Sequence, residues 1–153
     1  MTQHLRMNTK RIKSTLMDKE VNMRELWINL IVNDLHKSKA FYQSLGFELN
    51  PRFSQATEVA SLLFSDKKVV VMLFQKEFFT GKLPLGLSTN TEVKEVLISI
   101  SADSVEDADN LVKKAILAGG KALGEPAWSG QMYNTSFIDL DGHWWNVLYY
   151  KQS

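Results

Sequence analysis

The sequence predicts an α+β fold made of two βαβββ modules. In each half of the chain, an apolar, β-branched run that suits a strand leads into a polar residue that can cap a helix, Asp34 in the first half and Ser104 in the second. Three shorter strand-like runs follow each helix. Because the same order of elements occurs twice, we expect an internal structural repeat.

The first module is predicted from the spacing of its apolar residues. Residues 25–32 form a strand-like run, and residues 35–45 have the apolar spacing of an amphipathic helix that ends at Gly46. Three strands are then expected, at residues 47–53, 60–64 and 68–74. The turn Ser65-Asp66-Lys67 is expected to join the last two strands as a hairpin.

The second module repeats this order. A strand is expected at residues 93–102, and the helix that begins after Ser104 has Asp107 three residues on, which is close to a capping box. The pair Gly119-Gly120 is expected to end this helix. Further strands are expected at residues 121–123, 132–138 and 144–149.

The domain boundaries follow from this pattern. Residues 1–22 are predicted to be a flexible leader, which carries five basic residues and two acidic ones. It is either an arm that binds an anionic partner or a frayed tail. Residues 23–153 are predicted to form a single domain. Within it we expect module 1 at about 23–75, a linker loop at 76–90 and module 2 at about 91–150.

Composition narrows the classes of function. The chain has 153 residues, no cysteine and a formal net charge of +1, so a disulfide framework, a thiolate nucleophile and a cysteine zinc site are excluded. The small net charge gives no general attraction to nucleic acid or to an anionic membrane. No apolar run approaches the roughly 20 residues of a membrane span. We therefore expect a cytoplasmic protein whose partner is a small-molecule ligand, with no nucleic acid and no membrane as partner.

The two sheets are predicted to enclose the functional site. A single helix covers only one face of each sheet, so the uncovered faces are expected to close a curved mixed-sheet cup with a central cavity. Side-chain alternation along the strands directs several residues into this cavity. The predicted ligand-binding residues are Trp27, Asn29, Met72, Phe74, Leu97, Tyr133, Trp144 and Asn146.

Alternatives stay open for several of these side chains. The indoles and amides either form a recognition surface for a flat organic ligand or fill the space as a pseudo-core. Tyr133 either donates a hydrogen bond to a ligand or caps the sheet edge. His143 either acts as a general base or orders its turn, and the second role is favoured because it alternates away from Asn146. The pair Phe78-Phe79 is either a lid or a dimer contact.

Two segments resemble one known superfamily. Residues 26–50, LWINLIVNDLHKSKAFYQSLGFELN, and residues 137–150, FIDLDGHWWNVLYY, are similar to motifs of the vicinal oxygen chelate superfamily. This superfamily includes glyoxalase I, extradiol dioxygenases and bleomycin-resistance proteins, and the chain most resembles its uncharacterised glyoxalase-like members. The resemblance covers about residues 23–150 and implies a homodimer.

The resemblance also implies where a metal would bind. In the metal-dependent members, four strands each supply one ligand, and by motif and strand register these positions fall on Trp27, Met72, Leu97 and Asn146. Trp, Met and Leu side chains are not ligands for a divalent ion of this kind. We therefore predict no metal and no other cofactor.

Three functions are compatible with the sequence. The first is a metal-independent protein that binds a small organic molecule in the inter-module cavity, as bleomycin-resistance members do in a groove at a dimer interface. The second is a lactoylglutathione-lyase-like or dioxygenase-like enzyme with an atypical metal site. The third is a non-catalytic structural or regulatory module. The missing metal ligands favour the first function, and they leave open whether the chain is an enzyme, which would then be a glyoxalase-type lyase or isomerase.

Overall fold

The computed structural model describes residues 24–64, 69–80, 92 and 94–152. Several predictions lie outside the described residues: the leader at 1–22, the turn Ser65-Asp66-Lys67 and most of the linker loop. The side chain of Phe79, predicted as part of a lid or a dimer contact, is also not described. Eight strands and three helices are described: β1 (Leu26–Val32), α1 (Leu35–Ser44), β2 (Val59–Leu62), β3 (Val69–Gln75), α2 (Lys76–Thr80), β4 (Ile98–Ser101), α3 (Val105–Leu117), β5 (Lys121–Ala122), β6 (Ala127–Ser129), β7 (Met132–Ile138) and β8 (Trp144–Tyr150).

The strands form two mixed sheets, and this confirms the predicted α+β class. The first sheet has the order β1-β3-β2, with β1 parallel and β2 antiparallel to β3. The second has the order β4-β8-β7-β5, with β4 parallel to β8, and β6 also pairs with β7. In both sheets the strand before the helix therefore lies parallel to the last strand of its module, as expected of a repeat.

Local hydrogen bonds explain where the two longer helices begin. The Asp34 side chain accepts a hydrogen bond from the Lys37 N–H at 3.0 Å and so caps α1. Ser104 Oγ accepts from the Asp107 N–H at 3.0 Å at the start of α3. The Asp107 carboxylate accepts a second hydrogen bond, from the N–H of Asp103 at 2.9 Å, one residue before the cap.

The strand predicted at residues 47–53 is wrong. Only Leu49 pairs there, in an isolated bridge with Leu62, and Pro51–Phe53 is a 3₁₀ helix. Proline has no N–H for a strand ladder, and the Asn50 side chain caps this turn by accepting from the Arg52 N–H at 3.0 Å. The first module consequently has one strand fewer than the predicted βαβββ order.

Other boundaries of the second half also differ from the prediction. The strand expected at residues 93–102 is confined to β4, and α2 lies inside the segment predicted as a linker loop. The short strand β6 was not predicted because its residues are all exposed, so they show no apolar alternation. It forms a hairpin with β7 around Gly130, whose φ is 60°.

One hydrophobic core joins the two modules, and α1 forms the contact between them. The Tyr42 ring centroid lies 5.7 Å from that of Trp145, and Phe41 lies 6.3 Å from Phe137. The Phe137 and Trp145 rings stack with a 2° angle between their planes. The modules therefore meet on the helix side of the sheets, opposite to the faces on which ligand binding was predicted.

A buried carboxylate completes this junction. Asp139, 5% exposed, accepts hydrogen bonds from the Tyr42 hydroxyl and from the His143 N–H at 2.9 Å, and lies 2.7 Å from His143 Nδ1. Burial raises the pKa of Asp139, but the hydrogen bonds and the charge interaction with His143 and the Tyr42 hydroxyl outweigh it, so this pKa lies below its ordinary value. Among the described residues, no helix is long and apolar enough to cross a membrane.

Candidate functional site

Each sheet has a face opposite to α1 and α3, here named the outer face; on the first sheet, Phe78 of α2 stacks on Phe74 of this face, with ring centroids 6.2 Å apart. On β1 the core side carries Leu30 and Val32, so Trp27 and Asn29 point to the outer face. The strand register pairs Asn29 with Met72 and Ile31 with Phe74. The outer face of the first sheet therefore collects four of the predicted ligand-binding residues: Trp27, Asn29, Met72 and Phe74.

The outer face of the second sheet is set by β8. Trp145 and Val147 are fully buried on the core side, so Trp144 and Asn146 point outward. Trp144 pairs with Ile138, and Asn146 lies between Ser99 of β4 and Ser136 of β7. Leu97, which precedes β4 by one residue, is 47% exposed.

Tyr133, predicted either to donate a hydrogen bond to a ligand or to cap the sheet edge, does not share this face with Asn146. It pairs with Tyr149, and residues 133, 135 and 137 of β7 are the buried ones. Its hydroxyl donates a hydrogen bond to the Asp109 carboxylate of α3 at 2.6 Å, and this bond together with burial raises the pKa of Tyr133 to about 12. The alternation that separates Tyr133 from the outer residues was readable from the sequence.

Exposure on the outer faces differs between the edge strands and the middle strands. On the edge strand β1, Trp27 is 52% exposed. Met72, in contrast, lies on the middle strand between Asn29 and Ser61 and is only 4% exposed. The apolar side chains at the edge strands are therefore available to a ligand or a partner.

Charge is scarce on these faces. No Asp, Glu, His, Lys or Arg occupies an outer position of β1, β2, β3, β4, β7 or β8. Two charged residues lie at the margins: Glu25 accepts a hydrogen bond from the Trp27 indole at 3.2 Å, and Lys121 of β5 pairs with Ile138. The outer faces of these strands thus offer hydroxyl, amide and indole groups and no acid or base.

Asn146 and Trp144 supply hydrogen-bond donors to the second outer face. Asn146 Oδ1 accepts from Ser136 Oγ at 2.8 Å, which leaves its amide N–H groups without a partner among the described residues. Trp144 Nε1 is buried and has no hydrogen-bond partner in the described part of the chain. Sequence reasoning missed Ser136, although its alternation with Phe137 on β7 placed it on the outer face.

His143 is not directed at this donor pair. Its Nδ1 lies 2.7 Å from Asp139 Oδ2, inside the turn between β7 and β8. The same turn is tied to α1 because Asp141 accepts from the Asn33 N–H at 2.8 Å and from the Ser38 hydroxyl at 3.0 Å. These contacts support the turn-ordering role that the sequence favoured.

A separate depression lies at the end of the β6–β7 hairpin. It is lined by Trp128, Gly130, Gln131, Lys151 and Gln152, and by none of the predicted ligand-binding residues. Neither Trp144 nor Asn146 lines this depression, so it is separate from the hydrogen-bonding groups of the outer face. The outer faces therefore remain the candidate site.

The fold and the site define a protein with a repeated strand–helix–sheet module and an uncharged, partly aromatic sheet face. The model of the glyoxalase/bleomycin resistance protein/dioxygenase superfamily matches residues 25–147. The chain belongs to this superfamily, as the motif resemblance indicated.

Solved structures agree with this assignment. A hypothetical protein from S. aureus is 35% identical, with a TM-score of 0.71 over 83% of this chain and 94% of the other. A glyoxalase-related enzyme from Fulvimarina pelagi is 16% identical, with a TM-score of 0.70 over 83% and 88%. A glyoxalase/bleomycin resistance protein/dioxygenase family enzyme from Burkholderia phytofirmans PsJN is 18% identical, with a TM-score of 0.65 over 84% and 100%. The last two show the fold alone. None of the curated proteins searched matches this chain.

The residues at the superfamily's metal positions do not fit a divalent ion. Trp27, Met72 and Leu97 have no suitable ligand atom, and the only amide oxygen, that of Asn146, already accepts the Ser136 hydroxyl. No group of three His, Asp or Glu residues in the described part of the chain is arranged to hold a metal. No chemistry through a metal is therefore derived for this site.

Proposed function

We propose that this protein binds a small organic molecule on its outer faces and that a second copy of the chain covers that site. The observation that carries the proposal is the exposure of Trp27 (52%) and Leu97 (47%) on faces whose strands β1, β2, β3, β4, β7 and β8 carry no charged side chain. Exposed apolar side chains with a few hydrogen-bonding groups nearby are typical of surfaces that bind a ligand or a partner.

The sheet edges support a homodimer. Among the described strands, β1 lies at one end of the first sheet and β4 at one end of the second, so each pairs on one side only. Their unpaired backbone groups favour pairing with another chain. Since each strand borders an outer face, a partner at these edges would also cover Trp27 and Leu97.

The chemistry of the faces favours binding over turnover. Amide, hydroxyl and indole groups orient a ligand well, but they are poor proton carriers near neutral pH. The described outer strand positions contain no carboxylate or imidazole that could transfer a proton. We therefore propose recognition or sequestration of the ligand, and we place the protein in the cytoplasm, where a chain without cysteine needs no oxidising environment.

The oligomeric state tests this proposal directly. We expect the wild-type protein to sediment as a dimer at micromolar concentration, and Leu97→Asp to shift it toward the monomer because the new charge would be buried. Leu117→Asp is the matched control, since Leu117 is 87% exposed on α3, away from the sheet edges. A wild-type monomer, or equal effects of both substitutions, would contradict the proposal.

A further inference from the structure

We propose that Asn146 and Trp144 form a pair of hydrogen-bond donors that binds the carbonyl oxygens of an uncharged, conjugated ligand. This inference rests on the proposed function, because it assigns a ligand class to the same outer face. At the position where the resemblance implies a metal ligand, the chain has the amide of Asn146, whose oxygen already accepts a hydrogen bond from Ser136. The site would therefore attract oxygen acceptors through N–H groups.

Ser136 sets the orientation of the Asn146 amide. A hydroxyl can donate or accept, and here it donates to Asn146 Oδ1 at 2.8 Å from the neighbouring strand. With the oxygen engaged, the two N–H groups of Asn146 point to the remaining space. An amide held in this way offers donors only, so it selects acceptor atoms on a ligand.

Trp144 gives independent support for an acceptor. Its indole N–H is buried yet has no partner in the described residues, which is rare in folded proteins because an unpaired buried donor is unfavourable. Trp144 and Asn146 are two residues apart on β8, so their side chains share one face at about 7 Å spacing along the strand. One conjugated molecule spans that distance.

The surroundings indicate an uncharged ligand. Neighbouring outer residues are Ile138, paired with Trp144, and Leu148, which follows Asn146 by two positions. A full negative charge would lose hydration here without an adjacent cation on β4, β7 or β8, whereas a carbonyl oxygen needs only the N–H donors. The nearest cation in register, Lys121, is exposed on the far strand β5.

The test compares two probes that differ only in having a carbonyl group or a methylene group at one position. Acetophenone carries a carbonyl group, and ethylbenzene has nearly the same shape without it. The four tryptophans give four indole N–H signals in the NMR spectrum of ¹⁵N-labelled protein, and Trp144→Phe identifies the one from Trp144. Because the single carbonyl oxygen of acetophenone can bond to either donor and exchange between them, we expect acetophenone to shift both the Trp144 indole and the Asn146 amide signals and to bind about threefold to tenfold more tightly than ethylbenzene.

Two substitutions sharpen the result. Asn146→Asp keeps the acceptor for Ser136 but removes the N–H donors, so it is expected to abolish the preference for acetophenone. Asn134→Asp is the control: it adds the same charge to the same face, but its amide already donates to the Ala127 carbonyl at 3.1 Å. We expect Asn134→Asp to retain the preference. The wild-type comparison of the two probes stands even if Asn146→Asp does not fold.

The possible outcomes separate this inference from the proposed function. Equal affinity for both probes, with outer-face signals shifting, would overturn the donor pair and leave ligand binding intact. A preference for acetophenone that shifts Asn146 but not Trp144 would overturn the role of Trp144, whose N–H then bonds to an internal water. If neither probe perturbs any outer-face signal, the binding function itself fails, and the inference fails with it.

Discussion

Tyr133 and Asn146 lie on neighbouring strands of the second sheet but on opposite faces, and this decides what each side chain contacts. Tyr133 packs toward α3, where its hydroxyl donates to Asp109, while Asn146 faces outward beside Ser136. A polar aromatic residue in a ligand-binding fold is easily assigned to the ligand. Here its hydrogen bond holds a helix against the sheet.

A substitution at Tyr133 tests this assignment. Tyr133→Phe removes the hydroxyl, so we expect the free energy of unfolding to fall by about 1 kcal/mol and acetophenone affinity to change less than twofold. Urea denaturation measures the first quantity and NMR titration the second. A large loss of affinity without a change in stability would restore Tyr133 to the ligand site.

Several residue assignments were predictable from the sequence because they follow from alternation alone. Trp27 and Asn29 share a face with Met72 and Phe74, and Trp144 shares one with Asn146, as the two-residue period of strands requires. The same rule separates residue 133 from residue 136 on β7, so the sequence also indicates that Tyr133 and Ser136 point to opposite faces. The orientation of the Asn146 amide was not predictable, since it depends on a partner on another strand.

At the scale of elements, strand lengths were harder to predict than strand positions. Residues 47–53 are apolar enough for a strand, but Pro51 and the Asn50 cap favour a 3₁₀ turn. The helices were predictable because their caps are local: Asp34 and Ser104 accept hydrogen bonds from residues three positions on. The junction between α1 and the β7–β8 turn was not predictable from the sequence, because these elements are distant along the chain.

A substitution of Asp139 tests the junction between α1 and the β7–β8 turn. Asp139→Asn removes the buried charge that faces Tyr42 and His143, so we expect a loss of about 1–3 kcal/mol in unfolding free energy at pH 7. Because the folded pKa of Asp139 is lowered, its ionisation stabilises the fold fully only above its unfolded value of about 4. That stabilisation is lost as the pH falls through the folded pKa.

The difference between wild type and Asp139→Asn should therefore shrink in urea denaturation below about pH 4. Asp103→Asn is a suitable control, because it makes the same change of side chain at an exposed position. A difference that stays constant from pH 7 down to acid pH would show that the carboxylate charge does not stabilise the junction, and that the loss comes from altered packing.

At the scale of the whole molecule, the arrangement of the modules could not be predicted from periodicity. A pattern of strands and helices indicates which faces are apolar, but it does not say whether two uncovered faces meet within one chain or across two. The contacts of Tyr42 with Trp145 and of Phe41 with Phe137 fix the modules on their helix sides. Within the described residues of one chain, Trp27 and Leu97 on the outer faces stay exposed, which is why a second copy is proposed to complete the site.

Metal binding depends on the whole assembly, because a dimer can supply metal ligands from two chains. Here pairing two copies brings together outer strand positions that contain no His, Asp or Glu, so we expect manganese, nickel and zinc to leave the melting temperature unchanged. An ion at 100 times its dissociation constant would add about 2.7 kcal/mol, which is several degrees for a domain of this size. Thermal denaturation after chelation with EDTA, repeated with each ion, measures this. A metal-specific rise of several degrees, lost after EDTA, would mean that ligands from outside these faces form a metal site.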